Sequence, residues 1–358
     1  MEMDGGSKAY GVVILIQVMY AGMHIISKLA LDFGLSPFVF VFYRQAAAVM
    51  VLLPFAFIVM RRGAPPLSFM ILFKMFMHAL IGITLSLNVY NVALNYTSAT
   101  VASATNNSIP VITFFLAVLL RMESLKLKSI SGMAKMVGMA FCVAGIMTIA
   151  FYTGPSLKNF VNHHDDHRVT HEPTHSTGAW IKGSFLMIFA NTCWSLWLIL
   201  QGKLLKEYPS KLLFTTFQCI FSMIQTFLVS LVFERNFARW KLHLDMGLLA
   251  VTYSGFLITG LSFYFQSWCV EKKGPVFLAM STPLTFVFTI IGSSFILGKT
   301  LSLGSVLGGV FMVGGLYSVL WGKNMENRML EEPCIEKGKA CNEEKEMASS
   351  CPKIEIKE

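Results

Sequence analysis

No Asp or Glu lies near the middle of any long apolar run in this chain. Asp32, Glu123, Glu207, Glu234, Asp245 and Glu271 all fall at run ends or in loops. Charge of either sign is scarce, at 14% of the 358 residues against 54% that are hydrophobic, and mean hydropathy is +0.60. That balance excludes a soluble globular domain. The missing carboxylates argue against the buried acidic relay on which many proton-coupled carriers depend. None of the seven cysteines falls in a loop predicted outside, and Cys334, Cys341 and Cys351 lack zinc-site spacing, so neither a disulfide framework nor a metal site is implied. Apolar runs that never alternate with polar residues exclude a β-barrel. Gly292–Thr300 looks like a phosphate-binding loop but has five residues between its glycines, not four, and lies in an apolar run, which sets aside an ATP-driven pump. The first run lacks an A-x-A-like cleavage site and carries Gln17, His24 and Lys28, so it reads as a retained helix. The formal charge of +9 is scattered through short loops, which argues against nucleic acid as a partner.

What is present is membrane-length hydrophobicity. A bilayer core about 30 Å thick needs roughly 20 apolar residues per helix. Ten runs qualify, at about 10–30, 37–60, 70–93, 98–120, 130–151, 180–202, 211–233, 246–269, 275–297 and 302–322. They predict an all-α integral membrane protein. The fourth and ninth runs carry Pro110 and Pro283, each followed by a polar break and a Gly-bearing run; Glu123–Ala140 and Lys299–Leu316 match at seven of 18 positions. Five spans per half is an odd number, so the second copy must cross the membrane upside down relative to the first. Inverted repeats are a common build of secondary transporters. The expected division is a cytosolic N-terminus 1–9, a first five-helix repeat 10–151, an extracytosolic His-rich linker 152–179, a second repeat 180–322 and a disordered cytosolic tail 323–358. With both termini inside, the inside segments hold thirteen Lys/Arg and the outside loops six. The cluster Glu234–Lys241 runs against that rule. His163, His164, His167, His171 and His175 in the linker lack a regular ligand spacing, and a solvated linker is the better reading.

Polar side chains at membrane depth are costly and mark candidate sites. Gln17, Tyr20, His24 and Lys28 follow one another at spacings of 3, 4 and 4, on one helical face. Asn106, Asn107, Ser108 and Thr113 surround Pro110, whose missing N–H frees a carbonyl one turn earlier, and span nine repeats the device with Ser281, Thr282, Pro283 and Thr285. Asn88, Trp194, Tyr264 and Gln266 add to a candidate cavity lining. The alternative for each is ordinary interhelical hydrogen bonding. Arg44 lies about two turns into span two, where pairing with an anion and reaching outward are equally open. Lys74, His78 and Lys135 lie close enough to span ends for their tips to reach the headgroups. The Gly304–Gly308 pattern suits close helix packing inside the chain, with self-association into a homodimer as the sharper alternative.

These residues carry a family likeness. Tyr20-Ala21-Gly22, Ser27-Lys28, Tyr43-Arg44, Thr97-Ser98-Ala99-Thr100, Asn107-Ser108-Ile109-Pro110, Tyr208-Pro209, Gly274-Pro275-Val276-Phe277 and the ending Gly315–Lys323 occur in this order on ten spans. The chain thereby resembles plant drug/metabolite transporters of the EamA type, in the Walls-Are-Thin-related, nodulin-21-like group. The resemblance implies a ten-helix, two-repeat carrier that exports or facilitates small metabolites, amino acids most commonly and auxin-like carboxylates in some relatives. It implies the plasma membrane, with the vacuolar membrane as the alternative. One departure is Gly298-Lys299, where the family usually carries Gly-Glu.

The resulting expectation is a secondary transporter working by alternating access, with the lipid bilayer and a small-molecule substrate as its partners, no cofactor and no enzymatic activity. A multipass membrane enzyme is the distant alternative, and it would need clustered His or acid groups at one membrane face.

Overall fold

The computed structural model describes residues 3–63, 65–94, 96, 105–122, 129–152, 156–157, 177–242, 245–297, 301–304 and 306–326. The His-rich stretch, the tail beyond Glu326, Glu123 and Lys299 lie outside the described residues, as does the side chain of Lys28. The first two spans are helices Met3–Asp32 and Pro37–Arg61. The third is Phe69–Ala79, a π-helical segment Leu80–Leu85, and Ser86–Leu94. Ile109–Leu119 belongs to the fourth, and Ile130–Phe151 is the fifth. In the second half Thr177–Glu207 and Lys211–Phe233 are followed by Met246–Tyr253, π-helical Ser254–Ser262 and Phe263–Lys273 as one continuous eighth span. Pro275–Met280 and Thr282–Leu297 make the ninth, and Val306–Glu326 the tenth. Among the described residues nine helices are long and apolar enough to cross a membrane; Ile109–Leu119 is apolar but shorter. Two two-residue strands add to the helical architecture: β1 (Ser156–Leu157) pairs antiparallel with β2 (Leu301–Ser302).

Helix starts follow local chemistry. Ser68 Oγ accepts from Met70 N–H, Ser129 Oγ from Ser131 N–H, and Asp245 Oδ1 from Gly247 N–H, each filling an orphan donor of a first turn. Between spans eight and nine the chain turns at Gly274, where φ of +87° favours glycine, and Pro275 opens the next helix where its missing N–H costs nothing.

The two halves interlace. Span one packs on span nine as span six packs on span four, span two lies on span eight as span three lies on span seven, and spans two and seven meet each other. Each contact maps to a partner when the halves are exchanged, the pattern of a pseudo-two-fold axis. Spans five and ten cross so closely that a Cβ on Gly138 would fall 2.6 Å from the Gly315 carbonyl oxygen, and one on Gly308 would fall 2.8 Å from that of Gly145. The Gly308 face is therefore filled within the chain, as close packing requires.

Two sequence expectations are corrected here. Lys135 does not reach outward: it is 2% exposed and ion-paired with Glu326 at the end of span ten. His78 is buried in the core, its Nε2 2.9 Å from the Trp197 carbonyl oxygen and its ring stacked on that indole. The cluster that ran against the charge rule is a folded cap: Asn236 caps the 3-10 turn Phe237–Trp240, and Trp240 donates to the Glu234 carbonyl while packing on Phe42 and Phe227.

Candidate functional site

The inward face of span one is as its spacing predicts, but its residues differ in what they do. Ile14, Leu15 and Val18 form the outward face, at 46–47% exposure. Gln17 and His24 lie away from it; Gln17 is buried, whereas His24 is exposed. Gln17 has both ends of its carboxamide engaged, donating to Ser281 Oγ and accepting from Thr285 Oγ1, so it ties span one to the break in span nine. Tyr20 accepts at its hydroxyl from Gln266 Nε2 at 2.9 Å, and Gln266 also reaches Ser262 at 3.3 Å.

Arg44 resolves to the interior. It is 4% exposed, its Nε donates to Thr259 Oγ1 at 2.6 Å, and its guanidinium lies 6.0 Å from the Phe263 ring centre. The groups within its electrostatic reach are Tyr20, His24 and Cys219. Among the described residues no carboxylate pairs with it. Burying a charge costs several kcal/mol unless a counter-charge is supplied. Thr259 belongs to the π-helical segment of span eight, and Gly255 in the same segment lets span two approach: a Cβ there would sit 3.0 Å from the Arg44 carbonyl oxygen.

The two proline breaks share one geometry. Ser108 and Ser281 have φ/ψ of −76/−16° and −77/−12°, and each hydroxyl donates to the carbonyl three residues back, at 2.5 Å (Thr105) and 2.6 Å (Leu278). The prolines follow the breaks and occupy the first turns of new helices, positions that proline tolerates. At the first break the Thr105 carbonyl accepts from Ser108 and from Asn191 Nδ2 at 2.7 Å. Asn191 thus serves the span-four break from span six, as Gln17 serves span nine from span one.

The other candidates are distributed unevenly. Asn106 donates to Tyr90 at 3.1 Å, Asn107 is buried, and Thr282 is half-buried beside the second break. Asn88 turns back to the Thr84 carbonyl of its own helix at 2.7 Å. Trp194 is half-buried, 4.9 Å from Trp197 and 6.3 Å from Phe263, and Tyr264 is half-buried with its ring 6.1 Å from Phe265. The structure therefore gathers Tyr20, His24, Arg44 and Gln266 with Phe263, and holds Asn88 apart. Thr84 and Thr259 escaped notice in the sequence. The signal was the repeated pair Ile83-Thr84 and Ile258-Thr259, visible once spans three and eight are set side by side.

Comparison with known proteins agrees with this architecture. The model of a family described as the EamA-like transporter family matches residues 7–151 and again 181–321. WAT1-related protein At5g64700 of Arabidopsis thaliana is 48% identical over 98% of this chain and all of its own length. Protein WALLS ARE THIN 1 of the same plant is 35% identical over 90% of this chain and 86% of its own. A solved crystal structure whose description states no activity overlays 89% of the chain with a TM-score of 0.63 at 14% identity, a likeness of fold alone.

Proposed function

This chain belongs to the EamA-like transporter family and is a multipass membrane transporter of small solutes, a premise from which we propose that it is a secondary carrier exporting or facilitating amino acids by alternating access. The observation that carries the substrate reading is Arg44, a buried cation with no carboxylate partner among the described residues. A substrate carboxylate supplies the missing counter-charge, and strong charge-assisted bonds to guanidinium favour that group over neutral solutes. Tyr20, His24 and Gln266 lie around Arg44 as polar partners for the substrate, while half-buried Trp194 brings an aromatic face for an ammonium group. Two interlaced halves joined across Gln17 and Asn191 give the rocking elements that alternating access needs. The plasma membrane is the proposed location, the vacuolar membrane the alternative.

A second reading has its own support. Among the described residues no carboxylate is bonded to any of these groups to neutralise an ammonium, which favours an auxin-like acid with one negative charge and an aromatic body. Efflux of a labelled amino-acid panel and of labelled indole-3-acetate from cells expressing the protein separates the two. Saturable movement of amino acids supports the first reading, movement of the indole acid alone the second, and movement of neither rejects both. Arg44→Gln is expected to abolish saturable transport of whichever acid moves while leaving the protein in the membrane.

A further inference from the structure

Each half carries a π-helical segment in its third helix, Leu80–Leu85 and Ser254–Ser262. Such segments are rare and concentrate at functional sites, because the widened turn re-aims side chains and backbone groups. Both contain the pair Ile-Thr, and both threonines are bonded to a long side chain on the second helix of the opposite half. Thr84 Oγ1 donates to Gln225 Oε1 at 2.8 Å, and Gln225 Nε2 donates in turn to the Phe76 carbonyl at 3.2 Å. That arrangement is closed: both ends of the carboxamide are used. Thr259 Oγ1 instead accepts from Arg44 Nε at 2.6 Å, and the two Nη groups make no hydrogen bond among the described residues. The same scaffold device is thus self-satisfied in one half and left with an open guanidinium edge in the other.

We propose that Thr259 is a positioning residue for carboxylate recognition, holding Arg44 by Nε so that its Nη edge faces the substrate. The inference rests on the reading of Arg44 as the substrate's anion partner. An arginine side chain has four rotatable bonds, and fixing one edge removes much of the freedom that binding would otherwise have to remove. The Thr259 bond and the Phe263 ring together restrict the guanidinium. Thr84, whose bond lies in the closed counterpart, provides an internal control, since its loss removes a comparable buried hydrogen bond without touching Arg44.

Thermal unfolding of the purified full chain in detergent, titrated with the acid that moves in the efflux assay, an amino acid or indole-3-acetate, and with the neutral carboxamide of that acid, tests this. Wild type is expected to be stabilised by the acid and not by the amide. Thr259→Val is expected to weaken apparent affinity for the acid about 10- to 150-fold, the value of one hydrogen bond to a charged group. Thr259→Ser should restore it, and Thr84→Val should leave it within about twofold of wild type. If Arg44→Gln removes the acid preference while Thr259→Val keeps wild-type affinity, the positioning role is overturned and the reading of Arg44 stands. If Arg44→Gln keeps the preference, or wild type shows none, the reading of Arg44 fails and this inference with it. Equal weakening by Thr84→Val and Thr259→Val also overturns it, since a general loss of packing then explains both.

Discussion

Adding one methyl group at Gly82 is expected to destabilise this protein, although glycine is the poorest helix former after proline. Gly82 lies in the π-helical segment of span three, where a Cβ would fall 2.1 Å from Trp197 Cδ1 and Cγ and 2.2 Å from its Cβ. Ordinary contact needs more than 1 Å of additional separation. Trp197 has nowhere to go: it is fully buried, its Nε1 donates to Gln218 at 3.1 Å, its ring lies 4.9 Å from Trp194 and 5.3 Å from Phe263, and His78 stacks on its other side at 5.7 Å. Overpacking of this kind costs typically about 1–3 kcal/mol, and a rigid neighbour places the site at the upper end. The better helix propensity of alanine returns roughly 1 kcal/mol. The net expectation for Gly82→Ala is a loss of about 2 kcal/mol, or a midpoint lowered on the order of 3 °C. Gly314→Ala serves as the reference, because nothing lies within 4 Å of a Cβ there and only the propensity gain remains. Thermal unfolding of both variants in detergent, followed by tryptophan fluorescence, measures the difference. A Gly82→Ala protein as stable as Gly314→Ala would refute the close approach of spans three and six.

Two further outcomes follow from the seams between helices. Gln17→Leu removes two hydrogen bonds between span one and span nine and leaves the hydroxyls of Ser281 and Thr285 without that partner. At the roughly 0.6 kcal/mol average for polar contacts within membranes, a loss of about 1 kcal/mol is expected in chemical denaturation, and an unchanged midpoint would show that Gln17 does not join the halves. Lys135→Met removes the cation paired with Glu326, whose side chain is 18% exposed, whereas the double change Lys135→Met with Glu326→Gln removes both charges. The single variant is expected to lose up to about 3 kcal/mol and the double variant to recover most of it; a cycle without that coupling would dismiss the ion pair.

The two-repeat membrane architecture could be read from the sequence because it depends on one-dimensional properties. Lipid cannot hydrogen-bond a backbone, so apolar length alone specifies helices at Pro37–Arg61 or Lys211–Phe233, and the glycines shared by 132–138 and 308–314 reveal the duplication. The spacing of Gln17, Tyr20 and His24 also placed them on one face without any structure, since a helix fixes direction every 3.6 residues. Which of those faces meets a partner, and which meets open space, is not a local property. Gln17 and His24 share a face, yet one is tied to span nine and the other is exposed, because packing between the halves reaches the first and not the second. Pro110 and Pro283 mark the breaks in the sequence, and the structure adds that Ser108 and Ser281 each bond three residues back there. For Arg44 the chain alone left two directions open. Only the approach of span eight, widened by its π-helical segment and admitted at Gly255, turns that charge inward onto Thr259 and leaves it without an acid. Hydrophobicity and periodicity belong to the residues in order, whereas desolvation and counter-charge belong to what surrounds them.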